Sequence, residues 1–235
     1  MIIQKLFNDQ VLLATSMRKD GNMRAFSETE FDEVLKNQST IVTALGGRSD
    51  NTARVLTTYL ERKSFTEYYE INNQTITEHV INKPETALKL ADGLVTRTRD
   101  YTLLLPLADC LGVVFFDPEQ NILGLLHSGR QNLEEDGAYK FVEFLKQNYN
   151  CKPQNLKVYL TAHAQNFEIY ALNHAKLAEA AREQLLRAGT KFEDIEASDI
   201  DTVTNPDFPS NSTGDKTTRF AVAVKLRKRT LQEHL

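Results

Sequence analysis

Tryptophan is absent from this 235-residue chain, and cysteine occurs only twice, at Cys110 and Cys151. Two cysteines make no disulfide framework. No apolar run approaches the roughly 20 residues of a membrane span. The opening MIIQKLFNDQVLLATS lacks the long apolar core and small-residue cleavage site of a secretory signal. These absences predict a cytoplasmic protein with reduced thiols and no membrane partner. A basic excess is missing too: the formal net charge is −4. A polyanion-binding surface is therefore not expected, and nucleic acid is excluded as a partner class. The one basic cluster, KLRKR at 225–229, reads as a solvated strand end or tail. There is no internal repeat, low-complexity tract or linker, so residues 1–235 are expected to form a single domain.

What is present is an ordinary globular composition, 41% hydrophobic and 26% charged. Apolar runs at 11–16, 39–45, 93–96, 101–107, 110–116, 122–127, 156–162 and 219–226 read as strands. Helical periodicity occupies 52–63, 132–149 and 173–189, the last closed by Gly189. Strands and helices mixed without strict alternation predict a layered α/β or α+β fold. The segment TNPDFPSNSTGDKTT (204–218) is long for a loop inside a compact fold, and such loops are often functional.

The stretch LADCLGVVFFDPEQNILGLLHSGRQN (107–132) carries the chemistry. A turn at PEQN (118–121) separates two apolar runs and predicts a hairpin. Pairing centred there sets Cys110 opposite Gly129 and His127 opposite Gly112. Cys110 and His127, 17 residues apart, then share one face as diagonal neighbours, with β-carbons about 7 Å apart. A slip of one residue would separate them. A thiol and an imidazole so placed can share a proton or a metal. Asp109 adds a carboxylate that can orient the histidine.

These residues resemble a known family. ADC at 108–110, followed by the His of LLHSGRQN, resembles the ADC and HAGWRG signatures of the laccase-domain or multicopper polyphenol oxidoreductase family, which includes purine nucleoside phosphorylases and peptidoglycan-editing factors. ADGLVT (91–96) resembles ADALVT, and ATSMRKDG (14–21) resembles FSTRxGG. ALGGRSDN (44–51) resembles NLGxxxGDD, NFEIY (166–170) xxFEVG, and TTRFAVAVKL (217–226) the strand after TGRxA. The motifs run in family order over nearly the whole chain.

The resemblance implies a three-layer α/β/α fold around mixed sheet, distantly similar to the cysteine-hydrolase domain of cytotoxic necrotizing toxins. It implies a purine nucleoside and phosphate as substrates, and phosphorolysis or deamination at a zinc held by His, Cys and His. Carried over, Cys110 and His127 are metal ligands, and Asn72 of EINNQTI stands at the position of the remaining His. Arg18, Arg48 and Arg219 are the substrate-binding cations. The Trp, Arg and Gly of HAGWRG are Arg130, Gln131 and Asn132 here, and the paired arginines before TGR fall on Ser212 and Thr213.

Three readings follow. The first is a purine-nucleoside enzyme with zinc on Cys110, His127 and a third ligand, His79, His163 or water. The second is a metal-free cysteine hydrolase with Cys110 as nucleophile, His127 as base, and Asp109 or Asn72 orienting it. The third is a non-catalytic binding relative.

Overall fold

The computed structural model describes residues 1–57 and 63–227. The chain begins with β1 (Ile2–Leu6) and β2 (Val11–Thr15), then α1 (Phe31–Ala44) and β3 (Thr52–Arg54). β4 (Tyr68–Glu70), α2 (Ile76–His79), β5 (Gly93–Thr96), β6 (Thr102–Leu107), β7 (Leu111–Asp117) and β8 (Ile122–Ser128) follow. Then come α3 (Arg130–Glu134), α4 (Gly137–Tyr149), β9 (Lys157–Leu160), β10 (Glu168–Ile169) and β11 (Ala175–Lys176). The chain continues with α5 (Leu177–Arg187), β12 (Ile195–Ala197) and β13 (Phe220–Leu226).

Two mixed sheets dominate, in the orders β1-β2-β13-β6-β3 and β12-β9-β7-β8-β5-β4. They pack face to face. Leu103 and Leu105 of β6 and Val222 and Val224 of β13 share one core with Val114 and Phe116 of β7 and Leu123 and Leu125 of β8. The alternate residues of each sheet face helices. Leu104, Ala221 and Ala223 meet Ile41 and Val42 of α1. Val113, Phe115 and Leu126 meet Phe141, Val142 and Leu145 of α4 and Ala181 and Leu185 of α5. The expected α/β/α order holds, and its middle layer is two sheets thick. Strands covered on both faces read as continuous apolar runs, which is why β6, β7 and β8 stood out in the sequence.

Several local expectations need correction. Residues 39–44 are the end of α1, not a strand, and Leu45 caps it; Val34, Gln38, Ile41 and Val42 are buried at helical spacing. Residues 52–54 of the expected 52–63 helix form β3, and 58–62 lie outside the described residues, as do 228 and 229 of the basic cluster. The expected 132–149 helix is broken at Asp136, whose φ of 61° is left-handed, into α3 and α4. The 173–189 helix starts later, at Leu177, because 175–176 pair with 168–169.

The 118–121 turn is as expected. Asp117 Oδ1 accepts from the backbone N–H of Glu119 (2.9 Å) and Gln120 (3.0 Å), and Asn121 takes a left-handed φ of 52°. At the middle of β8 the sheet approaches α4 closely. A β-carbon on Gly124 would sit 2.8 Å from Phe141 Cε1 and 3.3 Å from Phe115 Cβ. Gly124→Ala is expected to destabilise the fold by about 1–3 kcal/mol through overpacking, read as a lower urea midpoint at unchanged slope.

Candidate active site

The β7–β8 ladder pairs Gly112 with His127 and Leu111 with Ser128. Continued by one residue, it sets Cys110 opposite Gly129, the register expected from the sequence. Asp109 precedes Cys110 with a left-handed φ of 70°, so the chain turns sharply into β7 and leaves Cys110 at the strand's mouth. Cys110 is half-buried and lines an open cleft of about 260 Å³ with Ala108, Asp109, Arg130, Gln131, Phe167, Leu177, Asn211 and Ser212. His127 is buried behind it, and the two side chains hydrogen-bond.

A third group completes the arrangement. Asp92, fully buried, places Oδ1 3.6 Å from His127 Nδ1, an ion-pair distance. It arrives there because His127 N–H donates to the Asp92 carbonyl (2.7 Å), which ties the end of β8 to the start of β5. Burial works against the His127 imidazolium. The Asp92 carboxylate and the Cys110 sulfur outweigh it and hold the pKa up at about 9. His127 is therefore a cation near neutral pH, flanked by a carboxylate on one side and a thiol facing the cleft on the other. Sequence reasoning quoted Asp92 within ADGLVT without assigning it a role. The available signal was its place as the residue before β5, the neighbour of β8.

Asp109 does not orient His127. Its Oδ1 accepts from Thr202 Oγ1 (2.8 Å), and its Oδ2 accepts from Ser210 Oγ (3.0 Å) and Ser212 N–H (2.7 Å). Both oxygens are spent on the 202–212 segment, which thereby brings Asn211 and Ser212 to the cleft. The expectation that this loop is more than a connection rests on that tether. Asp109→Ala should cost about 3 kcal/mol by stranding the three donors. Protease nicking between residues 203 and 215 should rise with it. Asp109→Asn, which tolerates the left-handed φ, should cost less.

Asn72 is not beside the pair. β4 runs parallel to β5, with Tyr68 against Gly93 and Glu70 against Val95. Asn72 follows β4 at the far end, where Thr96 pairs with Leu123, whereas His127 lies beyond the Gly93–Leu126 pair. Four residues of strand, about 13 Å, separate those ends. Asn72 instead caps its own turn, its Oδ1 accepting from the N–H of Gln74 and Thr75. His79 is elsewhere as well, buried against the Tyr69 ring at 4.6 Å. His163 does come near. The bonds Thr161 N–H to Gly112 O and Ala164 N–H to Asp109 O run its backbone alongside Cys110. Its Nδ1 lies 2.7 Å from the Thr161 carbonyl, and burial lowers its pKa.

Among the described residues no group of three His, Cys, Asp or Glu side chains is arranged to hold a metal. Cys110 and His127 supply two donors, one fewer than a catalytic zinc takes from protein. The donor set does not fit the zinc implied by the resemblance.

Arg18 and Arg219 lie at the cleft end of the five-stranded sheet, since β13 begins where β6 ends, with Phe220 opposite Leu107. Both are committed to the neighbouring loop. Arg18 pairs with Asp215 (2.8 Å) and donates to the Phe208 carbonyl, and Arg219 donates to the Lys216 and Thr218 carbonyls. Burial and Arg24 lower the Arg219 pKa, with Cys110 among the groups opposing them. Arg48 is at the other end. Just beyond it Thr52 pairs with Thr102, the first residue of β6, and Arg48 itself forms an exposed pair with Asp50.

A family model described as multi-copper polyphenol oxidoreductase laccase matches residues 19–175. The chain belongs to this laccase family. Its fold matches solved family structures at low identity. The hypothetical protein YfiH from Bacillus licheniformis superposes with a TM-score of 0.82 and 18% identity, covering 93% of this chain and 94% of that one. YlmD from Geobacillus stearothermophilus superposes at 0.78 and 17%, covering 93% and 92%. In sequence, a purine nucleoside phosphorylase, YlmD of Bacillus subtilis strain 168, is 41% identical over 71 residues. That stretch spans 30% of this chain and 26% of the relative. Within the laccase family frame, the Cys110–His127 hairpin and the cleft in front of it are the candidate centre.

Proposed function

We propose that the chain is an enzyme acting on a purine nucleoside or a close derivative, with Cys110, His127 and Asp92 as its reactive centre. The likeness to a named purine nucleoside phosphorylase supports the substrate class. The observation that carries the centre is the sequence thiol, imidazole, carboxylate leading inward from an open cleft. In phosphorolysis a phosphate oxygen attacks the anomeric carbon, the glycosidic C–N bond breaks, and its electron pair passes to the purine. An imidazolium in contact with the cleft through Cys110 can supply the proton that the departing base takes up. Asp92 holds the imidazole ring and its charge. Because Ser212 and Thr213 replace the family's paired arginines, phosphate is expected to be used weakly.

A second reading is favoured by the exposure of Cys110 ahead of His127. A thiolate paired with an imidazolium, itself oriented by a carboxylate, is the arrangement of a cysteine nucleophile. It would attack a carbonyl carbon, and the proton on His127 would go to the leaving amine. Release of free base from adenosine and inosine, with and without phosphate, separates the two. Phosphate-dependent release that disappears in Cys110→Ala supports the first. Cys110-dependent release of ammonia from a primary-amide substrate, indifferent to phosphate, supports the second. Neither product from the unmodified protein contradicts both.

A further inference from the structure

Among the described residues, the cleft lining holds one cation without a partner. Arg130, the first residue of α3, lines it, and among the described residues it makes no hydrogen bond or ion pair. The other charged residue in the lining, Asp109, has both carboxylate oxygens taken by the 202–212 segment. Arg18 and Arg219 are likewise turned onto the neighbouring loop. A guanidinium at the edge of a cleft, with no carboxylate to answer it, is complementary to an anionic group on the ligand. Two further features fix what accompanies that anion. Phe167 is 38% exposed within the lining and, with Leu177, gives the cleft an aromatic and apolar wall. Gln131, Asn211 and Ser212 add neutral donors and acceptors to the same lining.

The substitutions noted in the sequence point the same way. Arg130 stands where the HAGWRG signature has Trp, Gln131 where it has Arg, and Ser212 and Thr213 where the segment before TGR has paired arginines. Arg130 is thus a cation at a place where the signature has none, while the signature's own Arg and the paired arginines are absent.

We propose that the cleft selects a nucleoside that itself carries a phosphate, with the phosphate on Arg130 and the base against Phe167. This rests on the purine reading above. Arg130 is exposed and begins a helix, so Arg130→Gln is expected to fold normally. The test is calorimetric binding of adenosine monophosphate, adenosine and inorganic phosphate to the full chain, Arg130→Gln and Arg130→Lys. The monophosphate should bind the unmodified protein tightest. Arg130→Gln should weaken it about ten- to a hundred-fold, as expected for one charge-assisted pair, and leave adenosine unchanged. Arg130→Lys should fall between, keeping charge without the fork. Equal binding of adenosine and its monophosphate, both indifferent to Arg130→Gln, overturns the inference and leaves the purine reading intact. Inorganic phosphate binding as tightly as the monophosphate, with the same loss in Arg130→Gln, assigns the subsite to free phosphate and also overturns it. Phosphate loss in Arg130→Gln with no binding of either purine compound overturns the purine reading and leaves only the anion subsite.

Discussion

Cys110→Ala is expected to lower kcat/KM for the cleft's substrate by about a thousand-fold or more, while stability falls by only about 1–3 kcal/mol, the cost of leaving a buried His127 N–H without its partner. The asymmetry follows from position. Cys110 is small, half-buried and at the mouth of β7, so its removal opens no core cavity. It is also the group through which His127 meets the cleft, so both chemical readings fail without it. Cys151 provides the control. It is buried in the core beside α4 and α5, and burial, with the Asp117 carboxylate alongside, pushes its thiol pKa up. Cys151→Ala should leave kcat/KM unchanged and act on stability alone. The comparison needs only steady-state assays and urea titrations on the two variants.

The second large effect concerns Asp92. His127 has a folded pKa of about 9 against an ordinary value of 6.5. Its contribution to stability is therefore fully present below 6.5 and is lost as pH rises through 9, because in that window the folded state alone binds the proton. With Cys110 as a neutral thiol the integrated loss is on the order of 3 kcal/mol; a Cys110 thiolate, having given up its own proton, reduces it. In Asp92→Asn the carboxylate is gone and burial dominates, so the His127 pKa should fall below its ordinary value. The variant should be markedly less stable than the unmodified protein near pH ~6.5, and the gap should narrow as pH approaches ~9. Urea midpoints across that range, together with the imidazole titration by NMR, read both quantities. A constant gap would mean that Asp92 does not hold the His127 charge.

The hairpin was legible because its two strands are buried on both faces and the turn between them has its own chemistry. Asp117 and Asn121 fix the turn, the turn fixes the register, and the register fixes which side chains share a face. Asn72 was misplaced for a reason one segment cannot reveal. Motif order says how far it lies from ADGLVT along the chain, but the parallel pairing of β4 with β5 carries it to the wrong end of the sheet. Arg48 fails the same way at the start of β3. The 39–45 run looked like a strand because it is short and β-branched, and its helical partners Val34 and Gln38 lie upstream of the window that was read. Asp92 was hidden by its neighbours. Before an apolar strand, an acidic residue reads as a solvated end, and only the β5–β8 pairing turns it inward toward His127.

The Cys110–His127–Asp92 centre is tested most directly by thiol alkylation read by mass spectrometry near pH ~7, where an unpaired thiol is mostly protonated. If the imidazolium holds the Cys110 sulfur as a thiolate open to the cleft, a small haloacetamide should label Cys110 rapidly and Cys151 not at all. Asp92→Asn should slow that labelling at least about tenfold, by removing the charge that keeps His127 protonated. Slow labelling of Cys110 in the unmodified protein, unchanged by Asp92→Asn, would contradict the account.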